Sequence, residues 1–479
     1  MGVPMAGLGA GAALTADIAI IGGGASGVML AAALARQPHP VSVALIDPRP
    51  GRGLAYGAPH ARHLLNTRVG NMSLDPQAPE DFLAWLNGRE LNGPAWSAED
   101  FAPRSLYGDY IEQRLADLQA GGAGARAPML IRGRVQAAEI PRDGWLLRMA
   151  SGHRVSARAL VLATGWAHPR PLQVHGREEV GDLIQDDPWD IGALDALPAG
   201  ARVLLIGTGL TALDAAIAIW ERAPGAWVTA ISRHGMLPRI HGSPSPAAPA
   251  LKPPYPRSAR ELYAKLRAVA EFHEGETVMR HGVFLGLREV GADIWEGMPG
   301  PEKRMFLRHF RRYWDIERHR VPPVQAKEIQ QASAEGRFEV LRGRLAEVGR
   351  TPDGRVRAIV STAHREACLE VDRIINCTGP DTDPLRSRNA LLLDLLAQGR
   401  AAADPLGLGL HVNGACEVLG AAGVPSPRLY AIGPPTQGRF FEITGVPEIR
   451  IQARRLAASL AATLTAGTAS LAAASGERR

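Results

Sequence analysis

The sequence predicts an α/β protein with two strand–turn–helix–strand units, the second interrupted by a helical insertion. Three observations carry that prediction. An apolar run over 18–34, "IAIIGGGASGVMLAAAL", breaks at a cluster of glycines, and a second run over 203–219, "VLLIGTGLTALDAAIAI", has the same shape. Each is followed at a distance by a buried-strand pattern ending in Thr-Gly, "ALVLATG" over 159–165 and "RIINCTG" over 373–379. Weak hairpin patterns precede these strands, around Gly144 and around Gly354, so the whole arrangement reads as a duplication.

At 479 residues the chain is too long for one ordinary domain and long enough for two cores plus an insertion. Hydrophobic residues at 46% and charged residues at 21% describe a soluble globular protein rather than a disordered one. The stretch 18–35 is long enough to raise the question of a membrane helix, but Gly22-Gly23-Gly24 and Gly27 fit a strand–turn–helix better, and no membrane span is expected. The leader over 1–16 is rich in Gly and Ala and has no Lys or Arg before its apolar part, which makes it a poor signal peptide and reads as a frayed start. Cys368, Cys377 and Cys416 show neither C-x-x-C nor metal-ligand spacing, so they read as reduced thiols of a cytoplasmic protein, and no metal site is expected. A formal charge of +6 suits anionic ligands and gives no argument for nucleic acid.

The first unit reads as an apolar strand, then Gly22-x-Gly24-x-x-Gly27, then an Ala- and Leu-rich helix, then the strand "VSVALID" ending in Asp47. This is the Rossmann-type βαβ pattern, with its acid about 20 residues past the glycines. Gly22 permits the tight turn, Gly24 lets a pyrophosphate reach the backbone, and Gly27 lets helix and strand pack closely. Asp47 would accept hydrogen bonds from ribose hydroxyls, which suits the adenosine half of FAD. Thr164 and Gly165, closing the first Thr-Gly strand, are expected beside the same cofactor.

The second unit repeats the pattern as Gly207-x-Gly209-x-x-Ala212, with Thr211 opening its helix. Its next strand, "WVTAIS", ends in Ser232-Arg233 instead of an acid. A guanidinium cannot accept from ribose, but it pairs with a 2′-phosphate or stacks on adenine, so this site suits NADPH better than NADH. One copy is thus expected to hold a flavin and the other to bring a hydride donor.

The remaining segments are arranged around these two. "LYAIG" over 429–433 reads as a strand returning to the first domain to set Gly433 beside the flavin. Thr444-Gly445-Val446-Pro447-Glu448 reads as a helix start with Thr444 as its polar cap and its N–H groups aimed at the flavin O2 side. An early insertion over 51–110 carries Arg52, Tyr56, Asn66, Arg68, Asn71 and Met72 in loops, with Arg104 and Tyr107 just before a helix; Asn66 and Asn71 are the expected flavin or substrate contacts. A second insertion opens with the Pro-rich linker "HGSPSPAAPALKPPYP" over 241–256 and continues with helical patterns over 258–272 and 301–314. It is either a cap over the active site or a homodimer surface. Arg304, Arg308 and Arg312, with Arg311, would share one helix face there and recruit an anionic substrate. The expected bounds are 17–170 and 380–470 for the FAD-binding domain, 200–257 and 335–379 for the NAD(P)H-binding domain, and 258–334 for the helical insertion.

With these motifs in place the chain resembles the FAD/NAD(P)-binding flavoproteins of the glutathione-reductase-like fold. More narrowly, it is similar to a bacterial family that groups FAD-dependent urate hydroxylases with L-aspartate N-monooxygenases. The matching segments are "GRGLAYG" (51–57), "LLNTRVGNMS" (64–73), "PRSLYGDYI" (103–111), "IGTGLTALD" (206–214), "RYWDIERHRVPP" (312–323), "INCTGPDTD" (375–383) and "LYAIGPPTQGRFFEITGVPEIRIQA" (429–453). Departures are equally legible. Relatives of this fold usually carry an Asp after the late Gly, where this chain has Pro434, so the ribityl contact must differ. The disulfide reductases' C-x-x-C and the Baeyer–Villiger fingerprint are absent, while "ATGWAHP" (163–169) resembles the ATG-x-x-x-P stretch of N-hydroxylating enzymes.

The resemblance implies a flavin-dependent, NAD(P)H-consuming monooxygenase that takes O2 and a small, polar, nitrogenous, anionic substrate. It ranks urate first and amino-acid N-hydroxylation second. An NAD(P)H-dependent reductase or oxidase that inserts no oxygen, and a flavin-binding regulatory protein, are the competing classes. Most of the reaction would belong to the cofactors, so the sequence names cofactor sites and no catalytic residue.

Overall fold

The computed structural model describes residues 13–476 apart from 40, 58–59, 61, 90–93, 122–125, 142–143, 243–252 and 273–276. Most of the Gly/Ala leader (1–12) and of the Pro-rich linker (243–252) therefore lies outside the described residues. The chain divides into two units, Met1–Gly57 with Thr67–Ala167 and Thr382–Arg479, and Ala58–Asn66 with His168–Asp381.

In chain order the first unit contributes β1 (Leu14–Ile21), β2 (Val43–Asp47), β3 (Met129–Arg132), β4 (Val135–Glu139), β5 (Trp145–Met149) and β6 (Arg154–Leu162). The second contributes β7 (Ile184–Gln185), β8 (Arg202–Ile206), β9 (Trp227–Ser232), β10 (Phe338–Arg342), β11 (Arg344–Arg350), β12 (Val356–Ser361), β13 (Glu366–Val371) and β14 (Arg373–Asn376). The chain then returns to the first unit for β15 (Glu417–Leu419) and β16 (Pro425–Ala431).

The main path of the first sheet is β15-β16-β6-β1-β2-β3, with β5 and then β4 continuing from β6. Its centre is parallel, Ile20 lying opposite both Leu45 and Val161. A parallel strand covered on both faces must be apolar throughout, and Ile18, Ala19 and Ile20 are fully buried. The Ala25–Ala35 helix packs against the long Val446–Gly476 helix. The second unit has a parallel sheet ordered β10-β9-β8-β14-β7 and a separate antiparallel sheet β11-β12-β13. Its β8 lies between β14 and β9 as β1 lies between β6 and β2. Both expected hairpins are present: β4 pairs antiparallel with β5, which Gly144 (φ +88) precedes, and β11–β12 passes through Gly354 (φ +85).

Several boundaries differ from those expected. Residues 58–66 belong to the second unit although the sequence reading places them in the first domain. His63 Nε2 lies 3.1 Å from the Asp214 carbonyl, and the Gln325 amide donates to the Arg62 carbonyl at 3.1 Å. The stretch from 168 onward does likewise, with Asn376 Nδ2 donating to the Arg170 carbonyl and β7 pairing with β14. Where described, the insertion is helical apart from short connections, in one of which Val321 bridges Ile240: Ala259–Phe272, Thr277–Gly297, Gly300–Met305, Arg311–Arg318 and Pro323–Ala334, with a π turn at Phe306–Phe310. Ser258 caps the first of these, its Oγ accepting from the Glu261 N–H at 3.1 Å. The second helix escapes the sequence reading, and the stretch 301–314, expected as one helix, is split by the π turn.

Candidate functional site

The first glycine loop is built by close approach. Gly22 has φ +110, and a Cβ there would lie 2.2 Å from the Ala163 carbonyl oxygen, where β6 ends in Ala163-Thr164-Gly165. A Cβ on Gly27 would lie 1.9 Å from the Gly22 oxygen, which is the close helix–strand packing the motif implies. Gly24 has a neighbour that spacing does not reveal: its Cβ would sit 3.2 Å from Gly53 Cα, and one on Gly53 (φ +62) would sit 2.9 Å from Gly24 Cα. The "GRGLAYG" segment therefore leans on the glycine turn backbone to backbone.

The Ala25–Ala35 helix starts at Gly24 with no side chain capping its first N–H groups. Uncapped N–H groups and a positive helix end suit a pyrophosphate. Asp47 steadies the turn, Oδ2 accepting from the Gly23 N–H at 2.9 Å and Oδ1 from the Arg49 N–H at 2.7 Å. Each oxygen keeps a second lone pair for a ribose hydroxyl, so the residues present fit an adenosine diphosphate group.

The late segment reaches the same unit as expected, β16 pairing with β6, and Gly433 follows with φ +74. A Cβ on Gly433 would lie 2.4 Å from Ser26 Oγ, so only glycine lets the chain pass this helix start. Its N–H donates to Gln452 Oε1 at 2.8 Å, its carbonyl accepts from Thr436 Oγ1 at 2.8 Å, and Gln452 Nε2 reaches Thr436 Oγ1 at 3.1 Å. With Pro434 unable to donate, this buried network takes up the backbone around Gly433. Thr444 is not the helix cap: the helix begins at Val446, and the Gly445 carbonyl accepts the first intrahelical bond from the Ile449 N–H. Pro447 fits this first turn, where the N–H it lacks would have no intrahelical partner.

The early insertion separates its candidates. Asn66 falls in the second unit, its carbonyl 3.0 Å from His241 Nε2, while Asn71 is exposed at the end of a 3-10 turn in the first. Arg52 pairs with Asp109 and Glu112, and Arg68 with Glu99, so both guanidiniums are held by the protein. Arg104 and Tyr107, expected before a helix, form the first turn of Arg104–Gln119. Tyr107 is fully buried against Tyr56, Phe82 and Tyr110, and burial pushes its hydroxyl well above the usual tyrosine pKa.

The second glycine loop repeats the first turn and departs from it afterwards. Gly207 has φ +130, and its Cβ would lie 2.3 Å from the Cys377 oxygen, the position equivalent to Ala163. The Leu210–Arg222 helix starts at Gly209, also without a side-chain cap, and Thr211 stands half-buried in its first turn. A Cβ on Gly209 would meet nothing within 4 Å, so the space over this helix end is open.

Thr208 Oγ1 ties the turn down, 2.9 Å from Ser232 Oγ and 2.7 Å from the Met236 carbonyl. Beyond β9, Arg233 is exposed and has no acidic partner among the described residues. Burial, then the charges of Arg233, Arg312, Arg342 and Arg344, hold the neighbouring His234 below the usual histidine pKa. Spacing alone singles out Arg233; the rest of this cationic group comes from the insertion, the end of β10 and the start of β11, which no local pattern could assign.

The expected arginine face in the insertion is not there. Arg304 and Arg308 are exposed, Arg311 pairs with Asp315, and Arg312 turns its Nη2 onto Thr208 Oγ1 (3.1 Å) and the Met236 carbonyl. The π turn lies between Arg304 and Arg312 and puts an i→i+5 step where an i, i+4 register is assumed. Arg312 thus braces the second glycine loop instead of facing solvent beside Arg308. No helix among the described residues is long and apolar enough to cross a membrane.

A family model described as FAD-NAD(P)-binding matches residues 19–167, the part that holds the first glycine loop. The uncharacterized protein YdhS of Escherichia coli (strain K12) is 22% identical over 215 residues, and the match spans 42% of this chain and only 39% of that relative. Among solved structures the chain is similar to the ornithine N-hydroxylase KtzI of Kutzneria sp. 744, captured with reduced FAD, NADP+ and L-ornithine, at 18% identity, TM-score 0.64, covering 93% of this chain and 99% of that one. It is also similar to DfoA of Erwinia amylovora, a cadaverine monooxygenase bound to FAD, at 14% identity, TM-score 0.64, covering 93% and 94%. The fold of the chain is that of the two-dinucleotide FAD/NAD(P)-binding flavoproteins.

Proposed function

We propose that the chain is an FAD-dependent, NADPH-consuming monooxygenase that hydroxylates an amine nitrogen of a small polar substrate. The observation that carries this reading is the unlike surroundings of two glycine loops of the same build. Asp47 stands after the first, and Arg233, with His234, Arg342 and Arg344 nearby, stands after the second. An acid at that position accepts from a ribose 2′-hydroxyl, whereas guanidiniums favour a 2′-phosphate. Two loops tuned to two dinucleotides fit a resident FAD and a visiting NADPH.

The resemblance in sequence ranks urate ahead of an amino-acid nitrogen. The chain-long likeness to proteins named for ornithine and cadaverine reverses that order, and an amine nitrogen becomes the preferred target. When bound, the flavin would supply the activation of O2 and the transfer of one oxygen atom. The chain's own part is positional. The turn 22–27 and the start of the Ala25–Ala35 helix would cradle the FAD pyrophosphate, Asp47 its ribose, and the backbone near Thr164, Gly165 and Gly433 the rest. Gly207, Gly209 and Thr211 would cradle the NADPH pyrophosphate, with Arg233 on the 2′-phosphate.

The test gives purified, FAD-loaded protein NADPH together with diamines, basic and acidic amino acids, or urate, following NADPH loss and product mass. Slow NADPH loss until an amine is added, with a product carrying one more oxygen on nitrogen, is the expected result. An oxygenated product from urate alone overturns the nitrogen assignment. NADPH loss that instead requires a quinone or disulfide acceptor overturns the monooxygenase.

A further inference from the structure

The helical insertion and the chain just past β9 line a cavity of about 250 Å³. Most of its walls are aromatic: Tyr263, Phe284, Phe306, Phe310, Tyr313 and Trp314. The rings hold one another in place. Tyr263 stacks on Phe310 with centroids 4.6 Å apart and meets Tyr313 edge-on at 5.9 Å, while Trp314 stands edge-on to Phe284 at 6.1 Å and to Phe306 at 6.3 Å. Both ends of the π turn, Phe306 and Phe310, belong to the lining, and such turns are frequent at functional sites. Met236 joins the cavity to the second glycine loop: it lines the space, and its carbonyl accepts from Thr208 Oγ1 at 2.7 Å.

The buried part of the lining offers no spare charge. Phe284, Phe306, Trp314 and Ile316 are buried and apolar. Glu317 is buried too, but its carboxylate is taken: Oε1 accepts from Arg239 Nε at 3.3 Å, and Oε2 from Nη2 of the equally buried Arg320 at 3.1 Å. Arg239 and Arg267 are exposed, and neither is free, since Arg239 holds Glu317 and Arg267 has contacts of its own. An ion drawn in among the rings would lose its water and would have to break an existing pair to be compensated, so an uncharged occupant is favoured. The walls then select among uncharged molecules. Six rings present faces and edges to a further ring, a gain that a saturated molecule of the same size forgoes. The volume lies between the roughly 150 Å³ that holds a single benzene and the roughly 300 Å³ at which pockets for drug-sized ligands begin. One ring, or two fused, fills it.

We propose that this cavity is a binding site for a small, uncharged aryl compound, its ring held among the rings around Tyr263 and Phe310. The aryl compound and NADPH then occupy neighbouring places that share Met236 as a wall, and both are filled at once. Binding needs no turnover, so its failure and a failure of the monooxygenase reading are told apart.

The test uses the full-length, FAD-loaded protein without NADPH. Acetophenone is titrated by calorimetry, alongside benzoate and benzamidine, which keep its size and shape but carry a negative and a positive charge. Cyclohexyl methyl ketone supplies the saturated counterpart. Acetophenone should bind about ten-fold or more tighter than either ion, and about three-fold or more tighter than the saturated ketone. Saturating NADP+ should leave acetophenone bound. Phe310→Leu, and Tyr263→Leu in its stacking partner, should each weaken acetophenone about five-fold at unchanged flavin content. The comparison among ligands on the unaltered protein stands even if a variant fails to fold. Five results overturn the proposal: an ion binding as tightly as acetophenone, equal binding of the saturated ketone, displacement by NADP+, folded variants that bind as the parent does, or no heat with acetophenone at millimolar concentration.

Discussion

In the first glycine loop a Cβ on the middle glycine, Gly24, would press on Gly53; in the second, a Cβ on Gly209 would meet only open space. At the third position the order of crowding is the same. Gly27 is pinned under the Gly22 oxygen, while the second loop carries Ala212 there and buries it completely. The turns themselves, Gly22 over Ala163 and Gly207 over Cys377, are nearly superimposable in their demands. On the proposed function, the difference would let one motif serve two kinds of occupancy. A loop braced by a neighbouring segment suits a group that stays, and an open loop suits one that enters and leaves each turnover.

The largest effects should come from the shared positions, which break the comparison if they fail to separate. Gly22→Ala and Gly207→Ala each put a methyl into a carbonyl oxygen at positive φ, a cost of about 3 kcal/mol or more. Gly22→Ala is expected to purify colourless. Gly207→Ala should keep its flavin and lose NADPH oxidation about a hundred-fold. If Gly207→Ala also loses its flavin, or colourless Gly22→Ala no longer binds NADPH by calorimetry, the loops are not independent sites.

Next comes the third position. Gly27→Ala should lower stability by about 3 kcal/mol because backbone stands in the way, whereas Ala212→Gly should cost about 1 kcal/mol of helix propensity. Thermal unfolding of the two variants side by side measures this, and equal losses would remove the steric distinction between the loops.

Coenzyme choice sharpens the comparison further. Arg233→Ala should weaken NADPH use about ten-fold and leave NADH nearly unaffected, since it removes one charge-assisted contact to the 2′-phosphate. Equal losses with both coenzymes would mean that Arg233 stacks on adenine.

His234 adds a pH signature. Burial and surrounding guanidiniums keep it neutral near pH 7, and a bound phosphate would offset those charges and raise its pKa. Binding then takes up a proton, so NADPH affinity should rise about two- to three-fold from pH 7.5 to 6 while NADH affinity stays flat. A flat profile for both would place the 2′-phosphate away from His234.

The smallest effect on stability is expected at Gly209. Gly209→Ala should unfold within about 0.5 kcal/mol of the parent, because nothing is displaced, yet raise the KM for NADPH by crowding the approach of the pyrophosphate. A large loss of stability there would show that the space over Gly209 is filled by protein in solution.

The backbone of both loops was legible in the sequence because glycine spacing, strand hydrophobicity and the Thr-Gly endings are local patterns set by local sterics. The positions of Asp47 and Arg233, at and just past a strand end, were legible for the same reason, because the motif fixes where those strands stop. What stayed hidden depends on contacts between distant segments. Nothing near Gly24 announces Gly53, and Arg312 sits in a run of arginines that reads as one face until the π turn breaks its register. The join of residues 58–66 to the second unit rests on bonds to Asp214 and Gln325, far along the chain. Thr444 is read as a cap because Ser, Thr, Asp and Asn lead as caps on average, while here Gly445 takes that place.

The order of strands also governs how the molecule is made. On the ribosome β1, β2 and β6 emerge early, yet β6 keeps an open edge until β16 arrives, after every residue of the second unit has been synthesised. The Ala25–Ala35 helix likewise waits for the Val446–Gly476 helix that packs on it. The second unit has all its strands by Asn376 and can close first, while the nascent first sheet waits as an unpaired, apolar, aggregation-prone edge. A stop codon before Pro425 would therefore spare the later-translated unit and ruin the one translated first.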